Sequence, residues 1–253
     1  MAGVSRLQYT PEIRLIRVMC SGRVDLGFIL RAFLKGIDGV FIGGCNLNEC
    51  NYVTHGNYDA LNMTLLCKKI MEHIGLNPER VRIEFMSAGD GIRLVEVINE
   101  FTGKVEDLGP LGKGEGIDED ELRANLEEVK KLIPYIKVVK REKLAARLRN
   151  REEYGGFFTR EEIEELFRDV VSYYIDPEKC QACMLCLKRC PVEAIEGRKR
   201  QIHVINQDRC IKCGTCLEAC PPHFGAVRKI SGAPVPPLIP EEERTITRKS
   251  RKK

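Results

Sequence analysis

The 253-residue chain has no long apolar run. Its densest stretches, such as Val40-Phe41-Ile42, are a few residues long, where about twenty are needed to cross a bilayer. The opening Met1-Ala2-Gly3-Val4-Ser5-Arg6 lacks the apolar centre of a secretory leader, so a cytoplasmic protein is expected. Strong charge of one sign is also missing. A net +4 does not by itself call for nucleic acid, and the basic end Arg248-Lys249-Ser250-Arg251-Lys252-Lys253 lacks interleaved aromatics. The glycine-rich stretch Gly109–Gly116 lacks the Gly-Lys-Ser/Thr ending of a phosphate loop and reads as a flexible linker. No nucleophile triad, substrate fingerprint or convincing general base stands out, so no catalytic residue is named and a non-catalytic subunit is expected.

What is abundant is cysteine: twelve residues, eight of them between Cys180 and Cys220. Without a leader, such a set reads as metal or redox chemistry rather than a disulfide framework. Cys180-x2-Cys183-x2-Cys186-x3-Cys190-Pro191 recurs as Cys210-x2-Cys213-x2-Cys216-x3-Cys220-Pro221. A tight loop offers three thiolates to one [4Fe–4S] cubane, while the fourth cysteine of each run reaches the other cube. Cluster one then takes Cys180, Cys183, Cys186 and Cys220, and cluster two Cys210, Cys213, Cys216 and Cys190. Paired C-x2-C elements also build zinc sites, but those rarely carry the third cysteine at equal spacing, the fourth before proline, and the whole pattern twice. From Asp176 to Lys229 ten Lys/Arg face six Asp/Glu, a surplus that two cubanes of about −2 each would bring near neutral. His203 falls in a strand-like run and His223 reads as surface; neither is assigned a role.

The rest of the chain reads as an α/β domain followed by helices. Strands are expected over 13–18, 37–42 and 81–85, alternating with helices over 24–35, 59–74 and 92–101, which describes a small doubly wound parallel sheet. Ligand sites in such sheets lie in loops at the strands' carboxyl ends. Cys20 follows the first strand, and Cys45 and Cys50 follow the second, so these three thiols converge at one edge. The competing reading is small apolar side chains in a core, which is preferred for Cys67, inside a helical run. Asp118 with Glu121 and Thr159 with Glu162 open two further amphipathic helices. The expected organisation is residues 1–104 as the α/β domain, 105–174 as linker and helices, 175–230 as an α+β ferredoxin-like domain with short strands near 194–195 and 202–205, and 231–253 as a disordered or partner-wrapped tail.

Ile16-Arg17-Val18-Met19-Cys20-Ser21-Gly22-Arg23-Val24-Asp25, then Phe28 to Phe33, Gly36 to Val40, Gly43-Gly44-Cys45 to Cys50-Asn51-Tyr52, Gly56-Asn57-Tyr58 and Glu79 to Arg82 together resemble the delta subunit of methyl-viologen-reducing hydrogenase (the MvhD/FlpD family). The resemblance covers about residues 2–103. The cysteine-rich part resembles bacterial two-cluster ferredoxins. What the resemblance implies is an anaerobic electron-transfer subunit with a [2Fe–2S] cluster, for which Cys20, Cys45 and Cys50 are the candidate ligands. Its partners would be an upstream redox enzyme and a heterodisulfide-reductase-type flavoprotein. Hydrogenase, formate dehydrogenase and methylene-tetrahydrofolate reductase systems use such subunits, as do aromatic acyl-CoA reductase complexes. Family members usually carry a further strand with Cys-x-x-Cys ahead of the Ala2–Tyr9 stretch, and histidines where Asn46 and Asn51 stand here. A cluster-containing sensing or ligand-binding module, using the loops after Ile42 and at Ser87–Gly91, is the alternative of another class.

Overall fold

The computed structural model describes residues 6–50, 52, 55–148, 151–231 and 233–245. The chain divides into two compact units, Met1–Glu164 and Glu165–Lys253.

In the first unit, α1 (Leu26–Leu34) starts where the Asp25 carboxylate accepts from the Gly27 amide, and it buries Leu26, Ile29, Leu30 and Phe33. Strand β1 (Val40–Gly44) is followed by α2 (Gly56–His73), β2 (Val81–Phe85) and α3 (Gly91–Leu108). The two strands pair in parallel, Val40 opposite Val81 and Gly44 opposite Phe85. Helix α2 packs on β2, and Phe101 of α3 sets its ring 5.7 Å from Phe41 of β1. Helix α4 (Glu119–Val139) is capped by Asp118, which accepts from the Asp120 amide. It buries Leu122, Leu126, Val129, Ile133 and Ile136 and lies against α1, so this amphipathic helix finds its cover within its own unit. The short α5 (Arg141–Leu144) follows, tied to α2 where buried Asn62 donates to the Leu144 and Ala146 carbonyls.

Two expectations are corrected here. Residues 13–18 form no strand, so among the described residues the expected three-stranded wound sheet is a two-stranded one. Leu15 and Ile16 stand 78% and 83% exposed. Apolar, β-branched composition makes a strand only where a sheet edge offers hydrogen-bond partners, and this segment has no ladder with β1 or β2. The stretch Gly109–Gly116 is not a loose linker either. It folds around Arg80, which is fully buried and donates to the carbonyls of Asp38, Leu108 and Gly109. The same guanidinium grips Glu115 through two bonds of 2.5 and 3.0 Å.

Helix α6 (Arg160–Arg168), entered from Thr159, crosses the boundary between the units. The second unit is built on a repeat. Strand β3 (Val171–Ile175), α7 (Leu185–Arg189) and β4 (Ile195–Glu196) are echoed by β5 (Val204–Ile205), α8 (Thr215–Ala219) and β6 (Val227–Ser231). Thirty residues separate Tyr173 from His203, Asp176 from Asn206 and Cys180 from Cys210. Asp176 and Asn206 make matching turns, accepting from the amides of Glu178 and Asp208. The halves interlock, because β3 pairs antiparallel with β6 and β4 with β5. Tyr173, Ile175, Ile195, Ile205, Ala226 and Val227 form a core shared with the buried cysteines.

The tail, expected to be disordered or wrapped on a partner, instead folds back on this unit over residues 233–245. Ile202 N–H donates to the Arg244 carbonyl at 2.6 Å, Gln201 bridges Thr245, and the Arg244 guanidinium reaches the Ile239 carbonyl and Glu196. Val235 to Ile239 line a shallow pocket together with Tyr174, Ile175, Val204 and Ile205. The rest of the tail, with its basic end, lies outside the described residues. Among those that are described, no helix is long and apolar enough to cross a membrane.

Candidate metal centres

The two cysteine runs adopt the same local geometry. Ala182 and Met184 take positive φ of 50° and 66°, and their repeat counterparts Lys212 and Gly214 take 58° and 81°. Such left-handed residues curl the chain tightly, so three thiols spaced three apart turn to one side. Each loop then enters a five-residue helix, α7 or α8, that presents Cys186 or Cys216 inward. Backbone amides already aim at sulfur: Ala194 N–H donates to Cys190 Sγ at 3.3 Å and Lys212 N–H to Cys210 Sγ at 3.4 Å.

The fourth cysteine of each run lies with the opposite loop. Cys180, Cys183, Cys186 and Cys220 line one pocket, walled by Ile175, Phe224, Ala226 and Val227. Burial pushes the Cys186 thiol up to about 11, and the nearby Cys180, Cys183 and Cys220 add to the effect. Burial likewise pushes Cys216 up to about 12, helped by Cys210, Cys186 and Cys213. Cys210 is raised by burial, with Cys213 and Cys190 contributing. Cys220 thus lies with the first loop and Cys190 near Cys210 of the second, while Cys186 and Cys216 are close enough to act on one another across the two loops. Thiols so buried stay protonated unless a cation replaces the proton.

The metal-binding groups at this pocket are four thiols and one imidazole, with no carboxylate. All twelve cysteines are free thiols. Four sulfurs around one pocket with apolar walls match the donor chemistry of an iron–sulfur cube. The two sites differ in exposure: Cys183 is exposed, whereas Cys213 is half-buried and its neighbour Gly214 buried.

One polar residue in this wall escaped the reading of the sequence. His203 is 1% exposed, with Nδ1 3.7 Å from Cys186 Sγ and Nε2 3.2 Å from Met184 Sδ. Burial holds its pKa below the ordinary imidazole value. Its place in the repeat, opposite Tyr173, was the available signal.

In the first unit Cys20, Cys45 and Cys50 do come together, around the start of α2. Ser21–Arg23 forms a single 3-10 turn against that helix. Gly22 and Gly56 make the approach possible: a Cβ on Gly22 would fall 2.6 Å from Gly56 Cα, and one on Gly56 would fall 2.6 Å from Cys20 Sγ. The Cys45 loop is stapled to α2, where Asn57 donates to the Asn46 carbonyl at 2.6 Å and Tyr58 Oη donates to Asn48 at 2.7 Å. Burial raises the Cys45 thiol, with Cys50 next to it and Cys20 nearby adding to the rise. Burial would raise Cys50 too, but the amides of Tyr52, Asn57 and Gly56 point at its sulfur and bring it below the ordinary thiol value. Cys67 sits apart, fully buried in α2 with its thiol pushed up to about 12 by burial. Asn46 binds Glu49 through its side chain; Asn51 lies outside the described residues.

Comparison with known proteins gives this geometry its context. Residues 1–109 match the family described as methyl-viologen-reducing hydrogenase, delta subunit, and residues 172–221 match the 4Fe-4S dicluster domain. The chain is 44% identical over 110 residues to an iron–sulfur subunit of the F420-non-reducing hydrogenase of Archaeoglobus profundus, covering 44% of this chain and 80% of that one. The corresponding vhc iron–sulfur subunit of Methanococcus voltae is also 44% identical, over 43% of this chain and 75% of its own. A longer chain, from the ferredoxin/F420H2-dependent CoB-CoM heterodisulfide reductase of Methanosarcina acetivorans, is 44% identical over 112 residues. The match takes in 44% of this chain and only 14% of that relative's length. The chain is thus an iron–sulfur protein that belongs to the methyl-viologen-reducing hydrogenase delta-subunit family and carries a 4Fe-4S dicluster domain behind its family domain.

Proposed function

We propose that the protein is a non-catalytic relay that passes single electrons between an upstream redox enzyme, such as a hydrogenase, and a heterodisulfide-reductase-type flavoprotein. The observation that carries this reading is the cavity bounded by Cys180, Cys183, Cys186 and Cys220, thiols drawn from both halves of the repeat. Cys190, Cys210, Cys213 and Cys216 form its twin, and Cys20, Cys45 and Cys50 supply ligands for a third, [2Fe–2S] station. Iron–sulfur clusters supply one-electron storage when bound. This chain's residues hold the sulfurs in place, exclude water from Cys180, Cys186 and Cys216 by burial, and leave Cys183 at the surface for exchange. Thiols so near the surface suit an anaerobic cytoplasm.

Two relatives support the choice of partners. The same domain occurs in a shorter protein named for a hydrogenase and as a segment of a longer chain named for a heterodisulfide reductase. A protein that connects the two chemistries accounts for both settings. The test is anaerobic purification from the native host, with iron and labile sulfide counted and EPR recorded on whatever co-purifies. About eight irons per chain mark two filled cubanes, and about ten mark the third site as well. Zinc in these positions, or a colourless protein without labile sulfide, would end the reading.

A further inference from the structure

We propose that His203 is a positioning residue that tunes one cluster: its Nδ1–H donates to Cys186 Sγ and raises the reduction potential of the site formed by Cys180, Cys183, Cys186 and Cys220. The inference rests on the ligand sets proposed above.

The imidazole is part of the wall of that cavity, and both of its nitrogens face sulfur, Nδ1 toward Cys186 and Nε2 toward Met184. A neutral ring donates one N–H. A cluster-bound thiolate is an ionised acceptor and a thioether a weak one, so the proton belongs on Nδ1. The pocket is shaped for this ring: a Cβ on Gly197 would fall 2.2 Å from His203 Cδ2, so only glycine leaves it room. Met184, in its left-handed conformation, closes the other side.

The physics is that of a fixed dipole beside a changing charge. Reduction adds one electron, spread over iron and sulfur, while the imidazole keeps its proton. An N–H aimed at a ligand sulfur favours the more negative state, and it does so more strongly in an interior of low dielectric than in water. The repeat places Tyr173 at the corresponding position in the other half, where its hydroxyl oxygen lies 2.8 Å from the site a Cβ on Gly214 would take. The two stations are therefore built on one backbone plan with different side chains at the same place.

The test uses the full chain, reconstituted anaerobically, with iron and sulfide counted before an EPR-monitored titration with redox dyes. In His203→Leu, one of the two cubane midpoints is expected to fall by about tenfold in its equilibrium constant, about 59 mV for one electron, with the other unchanged. His203→Asn, which returns an N–H near the Nδ1 position, is expected to recover most of that shift. With 15N-histidine in the otherwise unaltered chain, pulsed EPR is expected to show one nitrogen coupled to one cubane, and His203→Leu to lose it. Filled cubanes with unmoved midpoints, an equal shift of both, or no histidine coupling would overturn the proposal. An unaltered chain that binds no cubane iron overturns the ligand assignment itself and is told apart by the iron count. The labelled chain gives its answer even if the Leu variant fails to fold.

Discussion

The two units gather sulfur by different means. In the second, Cys180, Cys183 and Cys186 of one short loop share a pocket with Cys220, which comes from the other half of a thirty-residue repeat. In the first, three thiols arrive from two separate segments and meet only because Gly22 and Gly56 let the Cys20 turn lie against α2. The cubane arrangement is local and duplicated; the other depends on a single close packing. The lesson is about tolerance. A site coded in a loop withstands change elsewhere in the fold, while a site made by packing fails when any of its supports moves.

The sharpest way to break this contrast is to remove one cavity thiol. Cys186→Ala is expected to lose about four of about eight cubane irons, measured by iron and sulfide analysis, while the first unit's absorbance is unchanged. Next in size is Arg80→Met, which strands half-buried Glu115 and the carbonyls of Asp38, Leu108 and Gly109. Breaking a buried pair costs about 3–5 kcal/mol, so denaturant unfolding should show the first unit melting early with the cubanes still bound. The bond to Arg80 also sets a pH dependence. Burial alone would raise Glu115, but Arg80 and the amides of Asn77 and Gly112 hold it below the usual carboxylate value. Its stabilisation is therefore complete above about pH 4.3 and is lost as pH falls through the lowered folded value; Arg80→Met should flatten this window in a stability-against-pH series.

Gly56→Ala sharpens the comparison from the other side. Overpacking of this kind costs about 1–3 kcal/mol, and the new methyl would displace Cys20 Sγ. Expected is loss of the third station's signal in EPR, with both cubane signals retained. The smallest effect is kinetic. In chain stripped of iron, Cys50 should alkylate faster than Cys45 just below the ordinary thiol range, as mass spectrometry after brief iodoacetamide treatment would show. Its thiolate is stabilised by the Tyr52, Asn57 and Gly56 amides.

What could be read from the sequence follows the same division. The 4Fe-4S dicluster domain was legible because a three-residue spacing of cysteines is itself the geometry of the loop. The helix expected over 24–35 forms as α1, but its buried stripe is Leu26, Ile29, Leu30 and Phe33, and Phe28, which the helical spacing places on the apolar face, stands 61% exposed. Strand β2 was expected over Val81–Phe85 and forms there. Residues 13–18 misled because a strand needs a neighbour, and composition cannot supply one. The glycines of 109–116 read as freedom, whereas Arg80, remote in sequence, holds that turn from inside. The tail's attachment through Arg244 was hidden for the same reason. His203 went unread because an isolated histidine carries no spacing signal, and only its partner thirty residues earlier marks the position.

The crossing of Cys220 into the cavity begun by Cys180 bears on how the protein is made. On the ribosome, the first loop is complete at Cys186, thirty-four residues before Cys220 is made. Cys190 is ready early but waits for Cys210, Cys213 and Cys216. On the proposed ligand sets the first cage cannot be sealed before Cys220 nor the second before Cys216, so a chain nicked between the halves would have no self-sufficient fragment.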